Sequence, residues 1–269
     1  MRAKKAGELV YFESDKFSAS GLVTHAFCTR KGGISKSPYD SLNFNYRVGD
    51  KNKTVYENYK ILEEKFGINH HHILTLNQSH GDGILIIDES PENLEEFAIK
   101  TKNMEKDALI TNKLLIPIAI LTADCQPIMF LDRKNRAIGI AHAGWKGTVS
   151  RIGQKVFREM SRFYGTNPDD CLVALGPSIG KCCYEVGKEV IEILKKEFSN
   201  WKDFVINRKN DKWNFSLDDL NLFQMTEIGI PRKNISRTNL CTSCNNDLFF
   251  SYRREKGVTG RCLSIIMLI

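Results

Sequence analysis

The sequence has no apolar run long enough to cross a bilayer, which takes about 20 residues. Its longest such run, residues 114–123, contains Pro117. The N-terminal stretch is broken by Arg2, Lys4, Lys5, Glu8, Glu13, Asp15 and Lys16, so it lacks the apolar core of a secretion signal. Neither G-x-G-x-x-G nor a Walker A motif occurs, which removes support for dinucleotide and P-loop chemistry. There is no internal repeat, no low-complexity segment and no Pro/Gly/Ser-rich linker, so residues 1–269 read as one domain. There is also no dense run of Lys or Arg. The net charge of +7 is spread thinly, which favours small anionic ligands such as phosphates over nucleic acid.

An ordinary globular composition remains, 42% hydrophobic and 26% charged. A chain of this length buries an adequate core without covalent staples. Its 8 cysteines therefore read as free thiols in a reduced, cytoplasmic protein with no membrane partner.

Apolar periodicity places strands at residues 22–28, 72–76, 83–87, 108–111, 116–122, 128–131, 137–142, 171–175 and 262–268. Helical spacing predicts helices over 53–66, 148–163, 186–198 and 217–228, with Gly67 and Gly165 as stops. Short strands mixed with helices and several hairpins predict an α+β fold with a layered mixed β-sheet core and flanking helices.

Three segments end an apolar strand with a metal-ligand side chain. They supply His80, Cys125 and His142. Two imidazoles and a thiolate suit zinc, and three protein ligands leave a fourth position open, the catalytic pattern. Zinc held this way lowers the pKa of its water to roughly 7. Asp124 adjoins Cys125 and is placed to orient a ligand or act as general base. The same residues allow an alternative: Cys125 and His142 as a metal-free nucleophile–base pair for acyl or amide hydrolysis. Spacing does not choose between them. The tract His70, His71 and His72 reads as a solvated loop. Cys241 and Cys244 form a C-x-x-C with no second half, and Cys182 and Cys183 read as packing residues. Arg253, Arg254 and Arg261 form either an anion clamp or a solvated charged hairpin.

Ordered segments along nearly the whole chain carry a resemblance: residues 27–33, 41–43, 77–81, 122–127, 141–145, 176–180, 183–187, 241–242, 249–254 and 259–261. Together they resemble the laccase-domain family, also called YfiH-type, polyphenol oxidase-like or purine nucleoside phosphorylase. One departure is Cys244, where that family is not expected to carry cysteine. The resemblance implies a layered fold shared with a bacterial deamidating toxin. It implies zinc, with copper as the other possibility, at His80, Cys125 and His142. It further implies phosphorolysis of adenosine, inosine and methylthioadenosine, and deamination of adenosine, so that purine nucleosides and phosphate are the partners of a monomer or small homo-oligomer. Laccase-like oxidation of phenols and peptidoglycan-precursor editing are the other activities it suggests. Laccase chemistry of the multicopper kind needs more histidines than the 6 present, but a thiolate site of this sort takes copper in exchange for zinc. Phosphorolysis requires cations, for which Arg30, Arg253 and Arg261 are the expected residues, while Asn43, Gln78 and Trp145 are expected to line the nucleoside pocket.

Overall fold

The strand Ala137–Ala143 divides the core in two. Side chains alternate across a sheet. Ile138 and Ile140 therefore join Leu109, Met129, Leu131 and Leu172 in one buried cluster, while Ala137 and Ala141 join Ile110, Ile128, Phe130 and Val173 in another. The computed structural model, which describes residues 1–208 and 211–269, sets this strand within a six-stranded sheet. Its order is Ile235–Arg237, Cys171–Leu175, Gln126–Asp132, Ala137–Ala143, Ala108–Thr111, Ile84–Ile87, antiparallel except at the two edges.

An antiparallel sheet of five strands faces it, ordered Arg2–Ala6, Leu9–Glu13, Val23–Cys28, Cys262–Leu268, Ile118–Thr122. Phe27, Ile118, Ile120 and Ile266 from this sheet complete the shared cluster. Helices cover the outer faces. Asn52–Phe66 lays Val55, Tyr59 and Leu62 on Ala26, Ala119, Leu263 and Ile265, and Gly67 ends it at φ 65°. Val55 and Leu62 are wholly buried, which contributes on the order of 2 kcal/mol each. On the far side, Ile152–Tyr164 and Leu217–Glu227 supply Ile152, Val156, Met160, Leu222 and Met225. Gly139 lets the first of these approach, since a Cβ there would stand 3.0 Å from Val156 and Met160 side-chain atoms. The expected α+β, layered, single-domain architecture is what the chain adopts: helix, sheet, sheet, helix. A small third sheet, Glu185–Val186, Trp213–Phe215 and Val205–Asn207, packs with the helix Lys188–Glu197 in a cluster of its own.

The differences from expectation have local causes. Residues 72–76 form no strand. His70–His72 make one 3₁₀ turn capped by Asn69, and Leu74 forms only a single bridge to Ile118. The tract is only partly solvated, because the His70 ring is bonded to Glu63 and its side chain is 7% exposed, while the His71 side chain is exposed. The predicted helix over 148–163 is two helices, Trp145–Val149 and Ile152–Tyr164, parted at Arg151 with φ 61°. The hairpin Arg2–Ala6/Leu9–Glu13 was hidden by charges that point to solvent. Among the described residues no helix is long and apolar enough to cross a membrane.

Candidate active site

Three chain turns converge at one end of the facing sheets. Ile118–Thr122 and Gln126–Asp132 are joined by a tight turn with Asp124 at φ 90°, and this turn carries Cys125. The register Gln126↔Ala143 and Pro127↔His142 then sets Cys125 beside the end of the neighbouring strand, where His142 sits. The loop before Ile84–Ile87 brings in His80, whose φ of 60° is a conformation histidine tolerates better than most residues. The ligand atoms of His80, Cys125 and His142 all lie within 4.8 Å of one another. The two imidazoles meet edge to face with centroids 4.8 Å apart. Gly144 leaves room for the trio, because a Cβ would stand 3.0 Å from Cys125 Sγ and 3.1 Å from His80 Cδ2, tight enough to displace them by a few tenths of an ångström.

The group that organises this trio is Asp107, which the sequence reading passed over. It is fully buried, directly before Ala108–Thr111. His142 Nδ1 donates to Asp107 Oδ1 at 2.7 Å, and the backbone N–H groups of Ser79, His80 and Gly81 donate to the same carboxylate at 2.7–3.2 Å. Burial pushes the Asp107 carboxyl up, but the bond and charge of His142 and the loop N–H groups bring it below its usual range. With Nδ1 committed to Asp107, Nε2 is the His142 nitrogen left for a metal ion, which would bind there by displacing its proton. Burial likewise opposes ionising Cys125, yet the His142 charge and the hydrogen bonds of both imidazoles bring its thiol down to about 6. His142 rises in turn to about 9, against its own burial, through Cys125 and Asp107. A thiol of lowered pKa and two imidazoles whose ligand atoms lie within reach of one ion fit a soft or borderline cation, and these residues are the ones that would hold it.

The trio borders a cavity of about 600 Å³. Gln78, Asp124, Trp145, Arg253 and Arg261 line it. Gln78 is held by paired bonds to Leu121, Nε2 to the carbonyl and Oε1 from the N–H, both 2.8 Å. Asp124 accepts from the Thr242 hydroxyl at 2.6 Å and the Arg253 N–H at 2.7 Å. Arg253 and Arg261 lie over the rings of Tyr184 and Tyr252 respectively. Arg254 instead ties backbone carbonyls of Thr242, Ser243 and Phe249 together.

Two expected substrate residues stand outside the cavity wall. Arg30 spends its guanidinium on the Asp40 and Asn246 carbonyls and Glu255, over the Phe250 ring. Asn43 is fully buried and bonds Asn45, Asp50 and the Arg261 N–H, so it braces the wall from behind. The wall also holds Arg47, Lys102 and Tyr46, which carried no strand-end or motif signal, and Tyr184 and Tyr252, which fall in segments 183–187 and 249–254 but were not singled out as site residues. Arg47 donates to Asn77 Oδ1 at 2.8 Å and to the Lys102 carbonyl at 3.0 Å.

Residues 24–269 match the family described as multi-copper polyphenol oxidoreductase laccase. The chain belongs to this laccase family. It is 31% identical to purine nucleoside phosphorylase YlmD of Bacillus subtilis over 91% of this chain and 88% of that one. It is 34% identical to purine nucleoside phosphorylase YfiH of Escherichia coli, covering 90% and 92%. It is 33% identical to adenosine deaminase RL5 of an unknown prokaryotic organism, covering 94% and 97%. Among solved structures, the YfiH protein of Bacillus licheniformis superposes with a TM-score of 0.90 at 32% identity over 99% of both chains. YlmD of Geobacillus stearothermophilus gives 0.86 at 29% identity over 98% and 97%. Despite the family's multi-copper description, the described residues contain two clusters able to hold a metal, the trio above and a group of four cysteines.

Proposed function

We propose that the chain is a zinc-dependent purine nucleoside enzyme that cleaves adenosine, inosine and methylthioadenosine with phosphate and also deaminates adenosine. The observation that carries this reading is the placing of His80, Cys125 and His142 on the wall of a cavity that also holds aromatic rings and four cationic side chains. Relatives named for both activities support it. Zinc at the trio, or copper in exchange, would supply a Lewis acid beside the substrate.

In phosphorolysis, a phosphate oxygen bonds to C1′ while the C1′–N9 bond breaks. The bond's electron pair leaves with the purine, which takes up a proton. The charge gathers on phosphate and base, so catalysis depends on fixed cations and a closed wall. Arg47, Lys102, Arg253 and Arg261 provide the positive field, and Tyr46, Tyr184, Tyr252 and Trp145 offer faces for the flat base. In deamination, water adds at C6 and ammonia leaves. Asp124 is the one carboxylate among the described lining residues, which makes it the proton carrier of this reading. Asp107 holds His142 and the His80 loop in place throughout.

The close Cys125–His142 pair supports a second reading, a metal-free hydrolase with Cys125 Sγ as nucleophile. Metal removal separates the two. Chelator-treated protein that loses nucleoside turnover and regains it with zinc supports the first; full turnover of metal-free protein supports the second.

A further inference from the structure

Four cysteines outside the catalytic trio come together near the protein surface. Cys182 and Cys183 lie in the turn that follows Cys171–Leu175, and Cys241 and Cys244 lie in the loop that leads to Phe249. Their sulfurs all stand within 4.8 Å of one another, and Cys244 Sγ is 3.4 Å from both Cys182 Sγ and Cys183 Sγ. The C-x-x-C therefore does have a second half, supplied by the adjacent pair.

The spacing is informative. A disulfide holds its sulfurs at about 2.05 Å, far closer than any pair here. Four thiolates around one zinc at about 2.3 Å stand roughly 3.8 Å apart along the edges of a tetrahedron. Two pairs at 3.4 Å and none beyond 4.8 Å bracket that value, with no carboxylate or imidazole in the group. The backbone is shaped to them as well. Gly180 N–H donates to Cys241 Sγ at 3.2 Å, the kind of bond that supports a thiolate ligand. A Cβ on Gly180 would stand 3.1 Å from Cys241 Cβ and 3.2 Å from Cys182 Sγ, so the chain passes close because that residue is glycine.

We infer that Cys182, Cys183, Cys241 and Cys244 bind a second, structural metal ion of the zinc class. Four protein ligands close the coordination sphere and leave no position for substrate. Binding the ion displaces thiol protons, so its free energy adds to folding at neutral pH. Its place in the fold gives it a task. Tyr184, next to Cys183, and Thr242, next to Cys241, both reach the cavity region: Tyr184 lines the cavity, and Thr242 donates to Asp124 at 2.6 Å. The segment after Phe249 touches both loops, Arg253 donating to the Glu185 carbonyl at 2.7 Å and Arg254 to the Thr242 and Ser243 carbonyls at 2.8 and 3.0 Å. The ion would staple together the two loops that form one wall of the cavity. This inference stands apart from the reaction proposed above, and zinc content tests it without any assay of turnover.

The full chain is to be produced with zinc, dialysed and analysed for metal. Two zinc ions per chain are expected in the wild type. One is expected in His80→Ala/Cys125→Ser, which removes the trio, and one in Cys182→Ser/Cys244→Ser, which removes the quartet. No zinc in His80→Ala/Cys125→Ser overturns the inference, as does an intact mass without reductant showing the four thiols paired as disulfides. If the serine variant does not fold, alkylation of the wild type decides. Cysteines 182, 183, 241 and 244 should resist iodoacetamide when zinc-loaded and label after chelation. Equal labelling in both states contradicts a bound ion.

Discussion

Asp107 Oδ1 lies 2.7 Å from His142 Nδ1 and also accepts the His80 N–H at 3.0 Å, so one buried carboxylate fixes two of the three residues of the trio. A group in this position sets the imidazole's tautomer and aim, and its loss typically reduces metal affinity or activity by roughly 10–100-fold.

Asp107→Asn is therefore expected to weaken zinc binding at the trio by about that factor, because an amide cannot accept from His142 and the loop with the same charge. Competition with a chromogenic chelator, run in the Cys182→Ser/Cys244→Ser background, reads the affinity. Unchanged affinity would mean that Asp107 is a packing residue only.

Gly144→Ala leaves the backbone comfortable, since φ is −69°, but drives a methyl group against Cys125 Sγ and His80 Cδ2. The variant should fold with an unaltered far-ultraviolet circular dichroism spectrum and lose most zinc affinity and turnover. Wild-type turnover would show that the three ligands do not need to meet.

The cavity cations are expected to separate the two proposed activities. Arg253→Ala and Arg261→Ala are each expected to raise the phosphate KM roughly tenfold or more, the worth of a charge-assisted hydrogen bond. Deamination uses water rather than phosphate, so adenosine-to-inosine turnover should fall less. Steady-state kinetics of both reactions in one variant set gives the comparison, and equal losses in both contradict a phosphate role.

A buried histidine far from these groups makes stability depend on pH. His25 accepts the Ser14 N–H at Nε2, 2.9 Å, and burial holds its pKa down to about 4. Unfolded, it titrates near pH ~6.5. Between those values the unfolded chain takes a proton that the folded one refuses. The stabilising contribution is thus complete above pH ~6.5 and declines as pH falls, by on the order of 3 kcal/mol at pH ~4. Urea unfolding of His25→Gln should show a smaller loss between pH 7 and 4.5 than the wild type. Parallel pH profiles would show that another group sets the acid limit.

Cys125 and His142 were legible because they stand where apolar strands stop, whereas His80 follows no strand and enters on the loop before Ile84–Ile87. Residues 118–122 and 137–142 announce themselves by β-branched alternation, and Cys125 and His142 follow at their ends. The α+β layering was legible for the same reason, since the strands and helices carry different periods. Asp107 was not, because an acid before a strand looks like any turn residue until the three loop N–H groups fold over it. Arg47 and Lys102 were hidden among the charges of solvated segments. Arg30 and Asn43 show the converse: motif residues whose hydrogen bonds are spent on other loops. The cysteine quartet joins positions about sixty residues apart, a distance that no local pattern spans.

Chromatography of adenosine incubated with zinc-loaded protein and phosphate tests the account most directly. Adenine with ribose 1-phosphate should form in the presence of phosphate, inosine should form without it, and His80→Ala should form neither. Absence of all these products from well-folded, zinc-loaded wild type, or undiminished products from His80→Ala, would contradict the assignment.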